Sequence, residues 1–207
     1  MGVIVGKIVL TGGPCAGKTT TISKVEEYLT EKGYHVLVLN ECATEMIKGG
    51  IRPFGEGALS VYDFQNEILN LQLYKEKRYK DIVNKMDKDI KCILLADRGV
   101  IDNKAYLGQE MFDKLLEENG VKESELIKEY DMVIHMITVA SDIKNRYSNS
   151  NNTARFEDAD EAIDLDRRTS DAWRNHHNLK VVPVTEVLEE KIAIVLSYVD
   201  ELLDKIA

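Results

Sequence analysis

The residues Gly12-Gly13-Pro14-Cys15-Ala16-Gly17-Lys18-Thr19 follow the spacing G-x-x-x-x-G-K-[ST]. The chemistry such a spacing serves is phosphate binding. Glycines let successive backbone N–H groups converge on phosphate oxygens, and the start of the helix that follows adds its dipole. Lys18 reaches the β- and γ-phosphates and the Thr19 hydroxyl holds Mg²⁺, with Thr20 beside it on the opening turn. A glycine-rich turn that binds nothing is the plain alternative; average residue usage would produce such a match by chance in about one chain in a hundred of this length. Cys15 reads as an ordinary loop thiol, although a helix start lowers a thiol's pKa.

Phosphoryl transfer also needs a metal near the phosphates, a group that accepts or orients the acceptor hydroxyl, and cations for the transferring phosphoryl. In a parallel α/β sheet the ligand lies beyond the carboxyl ends of the strands, so acids just past a buried strand are the candidates. Asp97 directly follows the apolar run 90–96 and suits the metal; Glu41 follows 34–39 after one asparagine and suits the acceptor. The plainer readings are a helix cap for Asp97 and a helix-start acid for Glu41. Arg98 either meets a substrate carboxylate or phosphate with its fork of donors or pairs with Asp102 across the turn. Gln65 and Gln72, two helical turns apart, share a face that offers amides to a nucleobase or ribose, against the commoner case of solvated glutamines. Arg52 and Phe54 lie in the glycine-rich stretch 49–57, where they either close over an acceptor or simply line a loop.

Further on, Lys144, Arg146 and Arg155 flank an asparagine-rich stretch, and Arg167, Arg168 and Arg174 follow on a charged helix. Residues 142–177 therefore read as a lid that brings Arg146 and Arg155 to the phosphates when ligand is present and excludes water. Arg167 and Arg168 are better explained as partners of Glu157, Asp160 and Asp164 on a solvated helix. Trp173 reads as core, and His176 and His177 as helix-end residues.

An alternation of elements must hold these groups. Apolar, β-branched runs predict strands at 3–10, 34–39, 90–96, 132–137 and 181–184. Helical spacing predicts helices over 17–31, 41–48, 59–86, 108–119, 122–130, 157–176 and 187–206. The pattern implies one three-layer α/β/α domain over 1–207, with a mostly parallel five-stranded sheet and a helical lid. A chain of 207 residues, 44% hydrophobic, fits that single domain. It has no apolar run of ~18 residues, and its start lacks the features of a secretory signal. Three cysteines without metal-ligand spacing indicate neither a disulfide framework nor a zinc site, so a cytoplasmic setting is expected. With 36 acidic against 27 basic residues and a net charge of -9, a nucleic-acid partner is not expected, which also weighs against a polynucleotide acceptor.

The whole set resembles the P-loop kinase-like AAA domain shared by NadR-type nicotinamide-riboside kinase domains and the GTP-binding proteins named for a TRP-channel translocation defect. The resemblance is carried by KIVLTGGPCAGKTT at 7–20, Glu41-Cys42-Ala43-Thr44, Asp97-Arg98-Gly99 with Asp102, Asn152-Thr153-Ala154-Arg155-Phe156-Glu157, Leu165-Asp166 and Ala172-Trp173. It implies ATP or GTP as the nucleotide and a kinase-like architecture, with an acid after the second strand and an Asp-Arg pair after the third. Where relatives often carry an asparagine for the base after the tryptophan segment, Pro183 and Val184 stand here. The expected function is ATP-dependent phosphoryl transfer to a hydroxyl of a small nucleoside-like or ribosyl acceptor, with Mg²⁺. The reading from another class is a regulatory NTPase, in which ATP or GTP controls a partner rather than an acceptor.

Overall fold

The computed structural model describes residues 1–141 and 159–206. Five strands form: β1 (Val3–Thr11), β2 (His35–Leu39), β3 (Lys91–Asp97), β4 (Met132–Met136) and β5 (Leu179–Val182). They lie in the order β2-β3-β1-β4-β5, and every pairing is parallel. A sheet with no antiparallel pair needs a crossover at each step. These are supplied by α1 (Lys18–Glu31), α2 (Cys42–Lys48), α3 (Val61–Val83), α4 (Asn103–Glu118), α5 (Glu123–Leu126) and α6 (Ala159–Trp173). The chain closes with α7 (Leu188–Ile206).

Side chains alternate across the sheet, and the alternation sorts the core into two halves. On one face Val9, Leu94, Ala96 and Val133 meet Phe64 and Leu69 of α3, Phe112 of α4 and Trp173 of α6. On the other, Ile8, Leu10, Ile93, Leu95 and Ile134 meet Ile22, Val25 and Leu29 of α1 and Val195, Val199 and Leu202 of α7. Runs apolar on both faces thus mark strands covered on both sides, and the three expected layers are present. No described helix is long and apolar enough to cross a membrane.

The element boundaries depart from expectation for local reasons. The fifth strand ends at Val182, two residues before its expected end, because Pro183 has no N–H to continue a ladder. The fourth helical stretch begins at Asn103 rather than 108; Gly108, at φ 74 and ψ 171, breaks it and hides its first turn from the periodicity. Ser60 starts α3 by accepting the Asp63 N–H at 3.0 Å. Residues 122–130, expected as one helix, hold only the four residues of α5 and a 3-10 turn at Ile127–Glu129. Of the expected lid 142–177, residues 142–158 lie outside the described residues, and α6 packs on the body of the domain, with Leu165, Ala172 and Trp173 buried. Arg167 and Arg168 pair with Asp164 as expected, and Arg168 also donates to the Ala105 carbonyl.

Candidate functional site

Register places the candidate groups in a row. Leu10 of β1 lies opposite Asp97 of β3, and Leu39 of β2 opposite Ala96, so the loop 12–19, Asp97 and Glu41 leave three neighbouring strands at the same carboxyl edge. The loop between β1 and α1 turns through positive-φ positions, two of them glycines. Gly12 sits at φ 139, where an added Cβ would stand 2.1 Å from the Met136 carbonyl oxygen. Gly17 caps α1 in the left-handed region, and Cys15 adopts φ 57 between them. Lys18 is buried, and its ammonium donates to the carbonyls of Gly12 at 3.0 Å and Gly13 at 2.9 Å. Thr19 and Thr20 are exposed on the first turn of α1. Pro14 and Ala16 accept through their carbonyls from Thr138 Oγ1 and Lys191 Nζ.

The two acids have opposite electrostatics. Burial raises the pKa of Glu41, but the charges of Arg98 and Lys18 and hydrogen bonds from Thr44 and Arg98 outweigh it and bring the carboxyl down to about 2. Its Oε1 accepts from Arg98 Nε at 2.6 Å and its Oε2 from Thr44 Oγ1. Asp97 is pushed up to about 6, first by burial and then by the negative charge of Glu41, against the pull of Lys18 and Arg98. Its buried Oδ1 has no hydrogen-bond partner.

Arg98 is held in a left-handed conformation, φ 70, which costs a non-glycine residue about 1–3 kcal/mol and persists only where surroundings fix it. The fixing groups are identifiable. Its N–H donates to the Leu10 carbonyl at 2.9 Å and its carbonyl accepts from Gln72 Nε2 at 3.0 Å. The next N–H, of Gly99, goes to Asp102 Oδ2 at 3.0 Å. The side chain is thereby turned to Glu41, leaving a buried Nη1 without a partner.

The side-chain partners of Arg98 and Gln72 are thereby fixed. Arg98 pairs with Glu41, not Asp102, because Asp102 is already filled: besides Gly99 it accepts from Thr11 Oγ1 at 2.6 Å and Trp173 Nε1 at 2.8 Å. Gln72 is buried, and its Nε2 donates to the Arg98 carbonyl at 3.0 Å and to Glu76 at 3.2 Å. Gln65 is likewise buried on α3, and Arg52 is exposed in its loop. Arg146 and Arg155 lie outside the described residues. Trp173 is core as expected; α6 ends there, short of the expected 176, so His176 lies three residues past the helix, where it bridges the Tyr130 carbonyl and the Asn178 N–H.

Asp102 ties the phosphate loop's strand, the Asp97-Arg98-Gly99 turn and α6 to one carboxylate. Asp102→Ala leaves three buried donors unanswered and is expected to cost on the order of 3 kcal/mol in urea unfolding, with Asp102→Asn losing less. Sequence reasoning did not single out Thr138 or Lys191, and it met Asp166 only within the resemblance. For Lys191 a signal existed: it shares an i, i+4, i+8 face with Val195 and Val199, an odd place for a lysine.

A parallel sheet, a glycine loop opening α1 and acids at the adjacent strand ends are the architecture of a P-loop NTPase domain. The chain belongs to the AAA domain family, whose profile matches residues 7–191. The structure of thymidylate kinase from Candida albicans superimposes with a TM-score of 0.63 at 13% identity, covering 98% of this chain and 93% of that one. At that identity the likeness concerns the fold, and 264 chains of solved structures match this one, so the fold alone selects no substrate. No curated protein matches the sequence significantly.

Proposed function

We propose that the protein transfers a phosphoryl group from ATP or GTP to a hydroxyl of a small acceptor, nucleoside-like or ribosyl in character. One observation carries the reading. Beside the phosphate loop, Asp97 Oδ1 and Arg98 Nη1 are buried without hydrogen-bond partners, which is costly unless something bound answers them. An acid lacking a donor and an adjacent guanidinium lacking an acceptor suit, respectively, a cation and an oxygen-rich acceptor or phosphoryl group.

Lys18 and the loop N–H groups hold the triphosphate, with Gly12 to Thr20 as the binding segment. Asp97 Oδ1 and the Thr19 hydroxyl are hard oxygen donors that fit Mg²⁺, which supplies charge neutralisation at the β- and γ-phosphates when bound. Glu41 orients the acceptor hydroxyl. At a pKa of about 2 it is a weak base, which a loose transition state tolerates because the hydroxyl need not lose its proton early. Arg98 fixes Glu41 and offers Nη1 to the acceptor or the transferring phosphoryl. Arg52 of the 49–57 loop, Gln65 and Gln72 remain proposed acceptor contacts, and Arg146 and Arg155 proposed phosphate contacts.

The test is ADP or GDP release with nucleotide alone against nucleotide plus a panel of nucleosides and vitamin ribosides. Strong stimulation by one acceptor, with the phosphorylated product seen by mass spectrometry, is expected. Slow turnover indifferent to every acceptor would overturn the kinase in favour of the regulatory NTPase.

A further inference from the structure

Three residues from distant parts of the chain grip the phosphate loop from outside. Asp166 of α6 accepts the Gly13 N–H on Oδ1 at 2.6 Å, and the same oxygen accepts the Thr138 N–H at 3.2 Å. Thr138, just past β4, donates its hydroxyl to the Pro14 carbonyl. Lys191 of α7 donates its ammonium to the Ala16 carbonyl at 3.2 Å and to the Ile137 carbonyl. Peptide groups at residues 13, 14 and 16 are thus each occupied by a partner 124 or more positions away. The fit is tight: an added Cβ on Gly13 would meet Asp166 Cβ and Oδ1 at 2.8 Å.

Both charged side chains are buried, and the backbone groups they satisfy lie in the loop and in the two residues just past β4. Lys191 is 2% exposed on the apolar face of a helix, and Asp166 is 7% exposed. A buried ammonium is costly, and burial lowers the Lys191 pKa, against the pull of Asp166. His135 is also buried beside the pair, its Nε2 3.4 Å from Asp166 Oδ1. A methionine at 191 and an apolar residue at 166 would remove the buried charges but leave the Gly13 and Thr138 N–H groups and the Ala16 and Ile137 carbonyls without these partners.

We propose that Asp166 and Lys191 are positioning residues for the phosphate loop, holding the Gly13 and Ala16 peptides from α6 and α7 so that the loop's other N–H groups are aimed before nucleotide arrives. The proposal rests on residues 12–19 being a phosphate-binding loop. Preorganisation lowers the ordering cost of binding, so loss of either tether weakens affinity without touching a group that contacts the nucleotide. It also makes α6 part of the nucleotide site: whatever displaces α6 withdraws Asp166 from the loop, and by reciprocity bound nucleotide holds α6 in place.

The experiment measures Mg-ATP and Mg-GTP affinity by calorimetry for the wild type, Lys18→Ala, Asp166→Ala, Asp166→Asn and Lys191→Met, each checked for folding. Asp166→Ala and Lys191→Met are expected to weaken binding about tenfold, the worth of one such hydrogen bond. Asp166→Asn keeps an acceptor oxygen for both N–H groups and is expected to recover most of the affinity. In the wild type the Gly13 amide is expected to be shifted downfield and protected from hydrogen exchange, and in Asp166→Ala to lose both. If folded Asp166→Ala and Lys191→Met bind as the wild type does while Lys18→Ala does not, the loop reading stands and the positioning role is overturned. A freely exchanging wild-type Gly13 amide also overturns it. If the wild type binds neither nucleotide, the loop reading itself has failed.

Discussion

Turnover is expected to fall roughly 10²–10³-fold when Lys18 is replaced by alanine, the scale of removing one preorganised donor from a transferring group. The geometry explains why the effect should be catalytic rather than structural. Lys18 opens α1 at the end of the glycine loop, and its ammonium is already folded back onto the Gly12 and Gly13 carbonyls. A charge held there costs little further ordering when phosphate oxygens arrive, whereas a freely solvated lysine would forfeit rotamer entropy on binding. Alanine removes that charge and leaves the two carbonyls facing a small gap, while the packing of Ile22, Val25 and Leu29 beneath α1 is untouched. Circular dichroism should stay near wild type as nucleotide affinity and turnover drop, with some loss of melting temperature because the buried Gly12 and Gly13 carbonyls lose their donor. If both survive in Lys18→Ala, the loop does not bind phosphate.

The part of this site legible in sequence is the part built from local pattern. The glycine spacing, the apolar run before it and the helix after it together locate the loop, because turn chemistry and periodicity act over a few residues. Asp97 and Glu41 were reachable by one further step, since buried runs can be read and their carboxyl ends are where ligands sit. The partners of those groups were out of reach. Glu41 and Arg98 are 57 positions apart, and only the insertion of β3 between β2 and β1 makes them neighbours. Gln72 shows the same limit from the other side. Its spacing from Gln65 was read correctly as a shared helix face, but that face is buried on the sheet, and the amide went to a backbone carbonyl that sequence could not place. Arg98 was seen as a donor fork in search of an anion; its left-handed backbone, which decides where the fork points, has no signature in a non-glycine residue.

Exchanging the two acids for their amides is expected to separate them by function and by the sign of their pH response. Glu41→Gln keeps the shape and can still meet Thr44, so nucleotide and Mg²⁺ binding should persist while acceptor phosphorylation falls by roughly 10²-fold, the scale of misplacing a reacting group. Asp97→Asn removes a metal-binding charge, so the Mg²⁺ concentration needed for half-maximal turnover should rise as turnover drops. Stability in EDTA offers an independent check. Glu41 titrates at about 2 in the folded protein against an ordinary 4.5, so it contributes stability that is present above 4.5 and lost as pH falls toward 2. Asp97 does the reverse: with its pKa raised from 3.8 to about 6, the folded state binds the extra proton, and stability is lost as pH climbs through that window. Metal-free Asp97→Asn should therefore be no less stable than wild type above pH 6 and should lack the decline between 4 and 6. Glu41→Gln should instead be less stable at neutral pH, with its unpaired Arg98, and should respond less to acid below 4.5. A carboxylate that weakens the empty protein at working pH is what a cation site requires, since Mg²⁺ then gains the energy that Asp97's burial costs. Were Asp97→Asn to turn over at the wild-type rate with an unchanged Mg²⁺ requirement, Asp97 would be a strand-end acid and the metal would have to be held elsewhere.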